Sequence, residues 1–413
     1  YNARWNLSKS LTLEYSATVN AIIDEPDGDL DNKDSLKIVI DNLKKFGRMK
    51  NFEQAITANY TVPLDKFPLT NWIGVDYRYQ TLYSWKAGPL ETNESLQLGN
   101  IIQNSRDQAF NGKIDLLKLY NKSKFFKDIN TPKRVLTPAE KARQAKTDTI
   151  KPPPNFGALR GIMRLIMSVR NVTGTYSIVE GTTLPGFTES PYLFGMDKRW
   201  AAPGLGFITG SQDADLRFKS ADQGWLSTSE KLTNPFMQAQ QKNLTLRSSI
   251  EPTIDFKIQL DVKKTTTAAF QEIFRFEGDS NRFVSFSPSR TGTYTISNVS
   301  IRTAFKNNTS TNSTVFQQFQ ENISTISEKM SQLTGQGYET KSQDVLIPAF
   351  IAAYTGQNAE QVSLSPFPKI PIPNWRVDYT GLIKLGSLQD VFQSITIKHA
   401  YTSSYTVANY KNS

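Results

Sequence analysis

"WNLSKSLTLEYSATVNA", Trp5 to Ala21, decides the fold. Its odd positions read Trp5, Leu7, Lys9, Leu11, Leu13, Tyr15, Ala17, Val19 and Ala21. Its even positions read Asn6, Ser8, Ser10, Thr12, Glu14, Ser16, Thr18 and Asn20. Lys9 apart, the first set is apolar; the second is wholly polar. A period of two predicts a strand with two unlike faces. A run of 17 residues is long against an ordinary strand of roughly 5–6.

The pattern recurs along the chain. Phe52, Gln54, Ile56, Ala58, Tyr60 and Val62 alternate with mostly polar neighbours. Ile73, Val75, Tyr77, Tyr79, Thr81, Tyr83 and Trp85 alternate with a set that includes Asp76, Arg78, Gln80 and Ser84. Ile254, Phe256, Ile258, Leu260 and Val262 alternate with Asp255, Lys257, Gln259, Asp261 and Lys263. Near the end, Ile395, Ile397, His399, Tyr401, Ser403, Tyr405 and Val407 form another such set. Weaker strands are expected at 94–103, 158–176, 292–305 and 375–384. "GIMRLIMSVR" (161–170) also fits a helical period, and is assigned to a strand. About nine strands result, taking 9–11 residues per membrane crossing.

Four inserts interrupt these strands. Residues 22–49 should hold a helix, with Asp34 or Ser35 as N-cap and Leu36, Ile40 and Leu43 on one face. Residues 104–157 should hold a second helix (111–129) and a charged linker. Residues 179–240 are rich in Gly, Pro and aromatics and read as a long ordered loop. Residues 306–374 should form a helical cap, because Phe316, Phe319, Ile323, Ile326, Met330 and Leu333 make one stripe. If 63–71 is a periplasmic turn, alternation places 104–157 on the periplasmic side. It places 22–49, 179–240 and 306–374 outside the cell. The chain opens within a strand pattern, which predicts a piece of a longer polypeptide.

Composition narrows the chemistry. The 413 residues include no Cys and one His, and carry a formal charge of +10. Disulfides, thiolate chemistry and sites built from two imidazoles are therefore excluded. The densest basic stretch, 131–154, also carries Glu140 and Asp148 and reads as a solvated linker before a nucleic-acid patch. No 18-residue apolar run encodes a spanning helix, and no signal-peptide pattern opens the chain.

A soluble sandwich would alternate too. Against it stand the strand length, the charge deep in the polar faces, and Tyr and Trp near the strand ends. In lipid only a closed barrel satisfies the backbone of every strand. The expectation is an all-β fold, a segment of a transmembrane antiparallel β-barrel with helical inserts in its long loops. Trp5, Tyr15, Tyr83, Trp85, Tyr401 and Tyr405 are candidates for an aromatic girdle. Glu14, Asp76, Arg78, Asp255, Lys257 and Asp261 are candidates for the lumen.

Local motifs carry little chemistry. Asp27, Asp29 and Asp31 resemble the start of a calcium loop, but Asn32 stands where Gly is needed and Ile38 where Glu is needed. An acidic lead-in to a helix fits them better. "GLGFITG" (204–210) has the wrong glycine spacing for a nucleotide loop. His399 falls in the apolar phase of a strand, which suits packing better than hydrolysis. "PFPKIPIP" reads as a rigid spacer, and the Asn-x-Ser/Thr sequons carry no weight in a bacterial host. No catalytic residue, cofactor or metal ligand is expected.

Longer motifs carry more. "VPLDKFPLTNWIGVDYRYQTLYSW", "LRGIMRLIMSVRNVTGTYSIVEGTTLPGF", "AAPGLGFITGSQ", "SIEPTIDFKIQLDVKKT", "DVLIPAFIAAYTG" and "PIPNWRVDYTGL" resemble the C-terminal part of the SprA/Sov family. These are outer-membrane translocons of the type IX secretion system of Bacteroidetes. The resemblance runs over nearly the whole chain. It implies a very large single-chain barrel that passes folded cargo proteins, gliding adhesins among them, to the cell surface. It implies as partners a PorV-like small barrel, a plug protein, a periplasmic prolyl isomerase, the secreted cargo and the lipid bilayer. It assigns no catalytic or binding residues. A TonB-dependent transporter or porin-type barrel is the alternative, and a barrel enzyme is opposed by the lone His and absent Cys.

Overall fold

The computed structural model describes residues 1–26, 33–89, 97–130, 157–306, 313–335, 337–384, 386 and 388–411. The chain is mostly antiparallel β, and its twelve strands form one sheet that is not closed. In order they are β1 (Asn2–Asn6), β2 (Leu11–Ile22), β3 (Arg48–Val62), β4 (Ile73–Lys86), β5 (Asn100–Asp115), β6 (Val169–Phe187), β7 (Phe236–Thr253), β8 (Phe256–Glu277), β9 (Arg282–Ser297), β10 (Asn374–Tyr379), β11 (Ile397–Tyr401) and β12 (Ser404–Lys411). The helices are α1 (Lys33–Lys44), α2 (Leu116–Tyr120), α3 (Lys124–Asn130), α4 (Gly157–Ile166), α5 (Leu205–Ile208), α6 (Leu216–Asp222), α7 (Ile301–Ala304), α8 (Thr314–Thr334), α9 (Gln343–Thr355) and α10 (Leu388–Val391).

Strands β1 to β8 are neighbours in chain order. The far edge is built differently. The upper part of β8 pairs with β9, from Lys264↔Ile296 to Glu277↔Arg282, and its lower part pairs with β10, from Phe256↔Tyr379 to Asp261↔Asn374. Strands β9 and β10 therefore occupy one strand position, split by residues 298–373. Their return strands split likewise, β12 beside β9 and β11 beside β10. The insert thus leaves halfway along a strand and does not cap a strand end, contrary to expectation. Its two ends meet where the Ile372 N–H donates to the Ser297 carbonyl at 3.0 Å.

Several boundaries differ from the sequence reading. The run 5–21 is not one strand. Ser8 Oγ accepts from the Ser10 and Leu11 N–H groups at 3.1 and 3.0 Å and closes a turn between β1 and β2. Residues 104–115 continue β5, so the lower insert begins at 116, and its helical part is α2 and α3. Residues 157–166 are helix α4, not strand, and the 179–240 insert shrinks to 188–235 because β6 and β7 run into it. The linker 131–154 and the acidic run 27–32 lie outside the described residues. Helix α8 matches the expected stripe: Ser313 accepts from the Phe316 N–H and Gly335 closes the helix in the left-handed region. Ile326 is fully buried against α9, while Phe316 and Leu333 are exposed.

Register carries each face across the sheet, with Gln108 and Lys242 interrupting the apolar row and Val179 the polar one. Leu13 lies opposite Ala58, Ala58 opposite Tyr79, Tyr79 opposite Gln108, and Gln108 opposite Ile178. One residue along, Glu14, Thr57, Gln80, Asp107, Val179 and Gln241 make the corresponding row of the other face. The two faces read from Trp5–Ala21 thus continue across the sheet.

Candidate functional site

The polar face holds most of the charged candidates. Glu14 pairs with Arg4 at 3.2 Å across the β1–β2 ladder. Asp76 accepts from Thr61 Oγ1 at 2.6 Å, and Arg78 donates to Gln80. Asp261 pairs with Arg247 at 2.6 Å, and Lys257 approaches Glu251 at 3.7 Å. Thr175 and Asn111 add a hydrogen bond of 2.9 Å on the same face. Asp255 is the exception: it sits in the β7–β8 turn, where Lys384 reaches it at 2.5 Å. The arrangement is a wall of small polar groups and ion pairs. Among the described residues no group of three His, Cys, Asp or Glu gathers to hold a metal ion.

The apolar face divides in two. Its lower part is left bare by the described residues: Tyr60, Phe110, Tyr176 and Leu246 are exposed there, with the rings of Tyr77 and Phe110 tilted at 36° and 4.5 Å apart. Its upper part is covered by residues 188–235. The insert is tied to the strands by side chains that point out of this face. Trp85 Nε1 donates to the Glu189 carbonyl at 3.0 Å and Gln54 Nε2 to that of Phe194 at 3.1 Å. Asn104 Nδ2 donates to the carbonyls of Phe207 and Ser211 at 2.8 and 3.0 Å. Thr182 donates to Gln212 at 2.6 Å, and Gln238 donates to the Asp213 carbonyl at 2.8 Å. Arg217 of α6 pairs with Glu272 of β8 beneath the insert, with Phe218, Phe236 and Phe270 around the guanidinium. A buried carboxylate is tolerated because it is paired.

Two glycines allow the close approach. A Cβ on Gly195 (φ +81°) would stand 2.8 Å from the Tyr83 ring, and one on Gly210 (φ +90°) 2.9 Å from Thr81 Oγ1. "GLGFITG" is therefore a docking segment: it delivers Phe207 and Ile208 to the core. Within the insert, Asp197 is 3 % exposed. Burial pushes its carboxyl up, but the N–H groups of Ala202 and Ala201 and the Arg199 side chain and backbone N–H outweigh this and hold it below the ordinary range. Lys219, hydrogen-bonded at 2.5 Å, holds Asp213 down as well.

The aromatic candidates scatter. Tyr83 and Trp85 are 1 % and 3 % exposed, in the core between sheet and insert, so a place in an interfacial girdle is corrected for both. Tyr15 packs edge-to-face on Phe194 at 5.6 Å. Tyr401 stacks on Trp375 at 4.6 Å and accepts from the Ser300 N–H, while Tyr405 donates to the Pro366 carbonyl at 3.1 Å. Trp5 alone is openly exposed. His399 lies beside Trp375, with ring centroids 6.5 Å apart.

The docking residues Gln54, Thr81, Asn104, Thr182 and Gln238 escape the sequence reading. Their signal is the interruption of an apolar phase by Gln, Asn and Thr. No helix among the described residues is long and apolar enough to cross a membrane, which says nothing of crossing by strands. No protein-family model matches the chain, and no curated protein sequence matches it.

Proposed function

We propose that the chain is a wall segment of a large outer-membrane β-barrel of a Gram-negative bacterium, and that the barrel is a protein-conducting translocon of the type IX secretion system. One observation carries this reading: a broad sheet with a continuous polar face that none of the described residues covers, and an opposite face that they leave bare and apolar in its lower part. A soluble sandwich would bury that apolar part under a second layer. In a membrane, lipid covers it and the polar face lines water. Strand length fits as well. Strands β4 to β8 have 14, 16, 19, 18 and 22 residues, where a crossing takes roughly 9–11. The excess rises above the bilayer, and there the 188–235 insert sheathes the outer wall. The end bearing α1 and this insert is the extracellular one; the end bearing α2 to α4 is periplasmic.

Passage of protein, and no enzymatic step, is the function proposed. The support is the sequence resemblance to the SprA/Sov family together with the broad polar wall. On the same resemblance the partners are a PorV-like barrel, a plug protein, a periplasmic prolyl isomerase and the cargo. The test uses the absence of cysteine. In the protein in its membrane, Thr57→Cys should react with a water-soluble maleimide and Phe110→Cys should not. The reverse pattern ends the barrel reading. If both labels behave as expected but loss of the protein abolishes nutrient uptake and leaves secretion of folded cargo intact, the transporter alternative replaces the translocon.

A further inference from the structure

The lower end of the sheet carries a helical shelf, α2 to α4, whose most apolar residues point away from the protein. In α4, Ile162, Leu165 and Ile166 are 56 %, 60 % and 63 % exposed, while Met163 and Arg164 turn inward. Phe125 of α3, a helix that touches α4, is exposed as well. Asn130, at the end of α3, binds Arg170 at 2.8 Å just past α4 and fixes the shelf to β6. A short helix in water should bury such residues and expose its charges. This one does the opposite.

Two observations say what covers it. The first is continuity. Three residues past α4 the chain enters the sheet at Val169, which pairs with Ile250; Ile250 pairs with Ile258, and Ile258 with Val377. The exposed residues of α4 thus extend the lower border of the bare apolar face. The second is charge. Residues 116–130 hold Lys118, Lys122, Lys124 and Lys127 against one acid, Asp128; Arg164 turns inward and Arg170 pairs with Glu251 at 3.3 Å, so neither belongs to this set. A protein partner would match the apolar tips alone; an anionic bilayer surface matches tips and cations together.

We infer that α2 to α4 form an interfacial anchor, with Ile162, Leu165 and Ile166 of α4 in the headgroup region of an anionic leaflet and the lysines of α2 and α3 over its phosphates. The inference rests on the proposed membrane setting of the sheet and adds a lipid-binding site to it. The anchor would fix the depth of the barrel, and hold steady the end at which cargo enters.

The test places a fluorophore on Ile166→Cys, and separately on Phe110→Cys, in the intact protein purified from its membrane with its partners. Each is reconstituted in phosphatidylcholine alone or mixed with phosphatidylglycerol. In the mixed bilayer the Ile166 probe should shift to the blue and be quenched by lipid spin-labelled at the headgroup. The double variant Lys122→Glu, Lys124→Glu, or omission of phosphatidylglycerol, should remove most of that quenching. A water-exposed Ile166 probe beside a lipid-quenched Phe110 probe overturns the anchor and leaves the barrel standing. A shielded but unquenched Ile166 probe means protein covers α4, a second copy or a partner, and overturns it too. Equal quenching without anionic lipid and without the lysines rejects the charge half of the inference. Both probes in water would end the membrane reading itself, and the anchor with it.

Discussion

Tyr83 and Trp85 belong by alternation to the face that carries Leu13 and Tyr60, yet they meet protein, not lipid. Nothing in a period of two separates the two fates; only the height along the strand does. Removing either ring opens the interface between sheet and insert. Tyr83→Ala or Trp85→Ala should cost about 3–5 kcal/mol and free the 188–235 segment, so that trypsin cuts at Lys198, Arg199 or Lys219 in otherwise intact protein. Unchanged cleavage would return these residues to a lipid role. Asp197 holds the insert's own turn, accepting from the Ala201 and Ala202 N–H groups at 2.7 and 3.0 Å. Asp197→Ala leaves those donors unpaired and should cost roughly 1–3 kcal/mol, read as faster hydrogen exchange confined to 188–235. Asp197 and Asp213 both titrate below their ordinary value of 3.8. A carboxyl depressed in the folded state stabilises it in full above that value and loses the effect as pH falls below it. Protection of the insert against exchange, corrected for the intrinsic pH dependence of amide exchange, should therefore be flat at neutral pH and fall only once pH drops beneath about 4, ahead of protection in the strands.

At the scale of elements, β9 and β10 act as one strand cut open to admit 298–373. The cut ends already touch, Ile372 N–H to Ser297 carbonyl, so closing them needs little chain. Helices α8 and α9 pack mainly on each other, through Ile326, Val345, Ala349 and Ala352. Replacing 299–371 by a short Gly/Ser link should leave the sheet assembled, seen as unchanged heat-modifiable mobility and unchanged β-sheet circular dichroism. Deleting only 310–335 should have the same outcome for the sheet while altering gating, read as antibiotic sensitivity together with cargo secretion. Loss of the sheet in the longer deletion would mean that the insert is part of its foundation. The sequence made β3 and β4 plain, because both phases hold over most of their length; of β8 it caught only the part up to Lys263, beyond which Lys264, Thr266 and Glu272 blur the apolar phase. It hid β5 beyond residue 103: there the outward phase runs Asn104, Arg106 and Gln108, polar because Asn104 binds the insert, Arg106 pairs with Glu180 of β6 and Gln108 accepts from Tyr77 of β4. It misread 157–166, where Ile162, Met163, Leu165 and Ile166 suit either period. Lys9, the one break in the opening pattern, marked the β1–β2 turn that a single long strand overlooked. Helix α9 went unread because it is apolar on every side, and such a run has no period to see.

At the scale of the molecule, two edges remain open. Among the described residues β1 pairs only with β2, and β11 and β12 pair only with β10 and β9. The first edge is β1, five residues with Arg4 at its centre, continued by Thr18–Ile22 of β2, which β1 does not cover. The second runs from Ile397 to Lys411, broken only at Thr402–Ser403 and by a bulge between Val407 and Tyr410. A charged, short edge can survive in water, and a bulge blunts one, but a long edge bordered by an apolar sheet invites another strand. In lipid the position is stricter, since each unpaired backbone group costs several kcal/mol. Both media thus demand partner strands at the β11–β12 edge. Residues 1–413 produced alone in detergent should therefore associate into mixed, high-mass species by light scattering. Adding the flanking strands of a larger barrel should give a defined particle. The formal charge of +10 does not prevent association, because pairing runs through backbone groups and most of that charge lies elsewhere. A monodisperse monomer, folded by heat-modifiability, would require β1 to pair with the β11–β12 edge. Ten strand positions would then make a small barrel, too narrow for a folded protein, and the porin-type reading would take over.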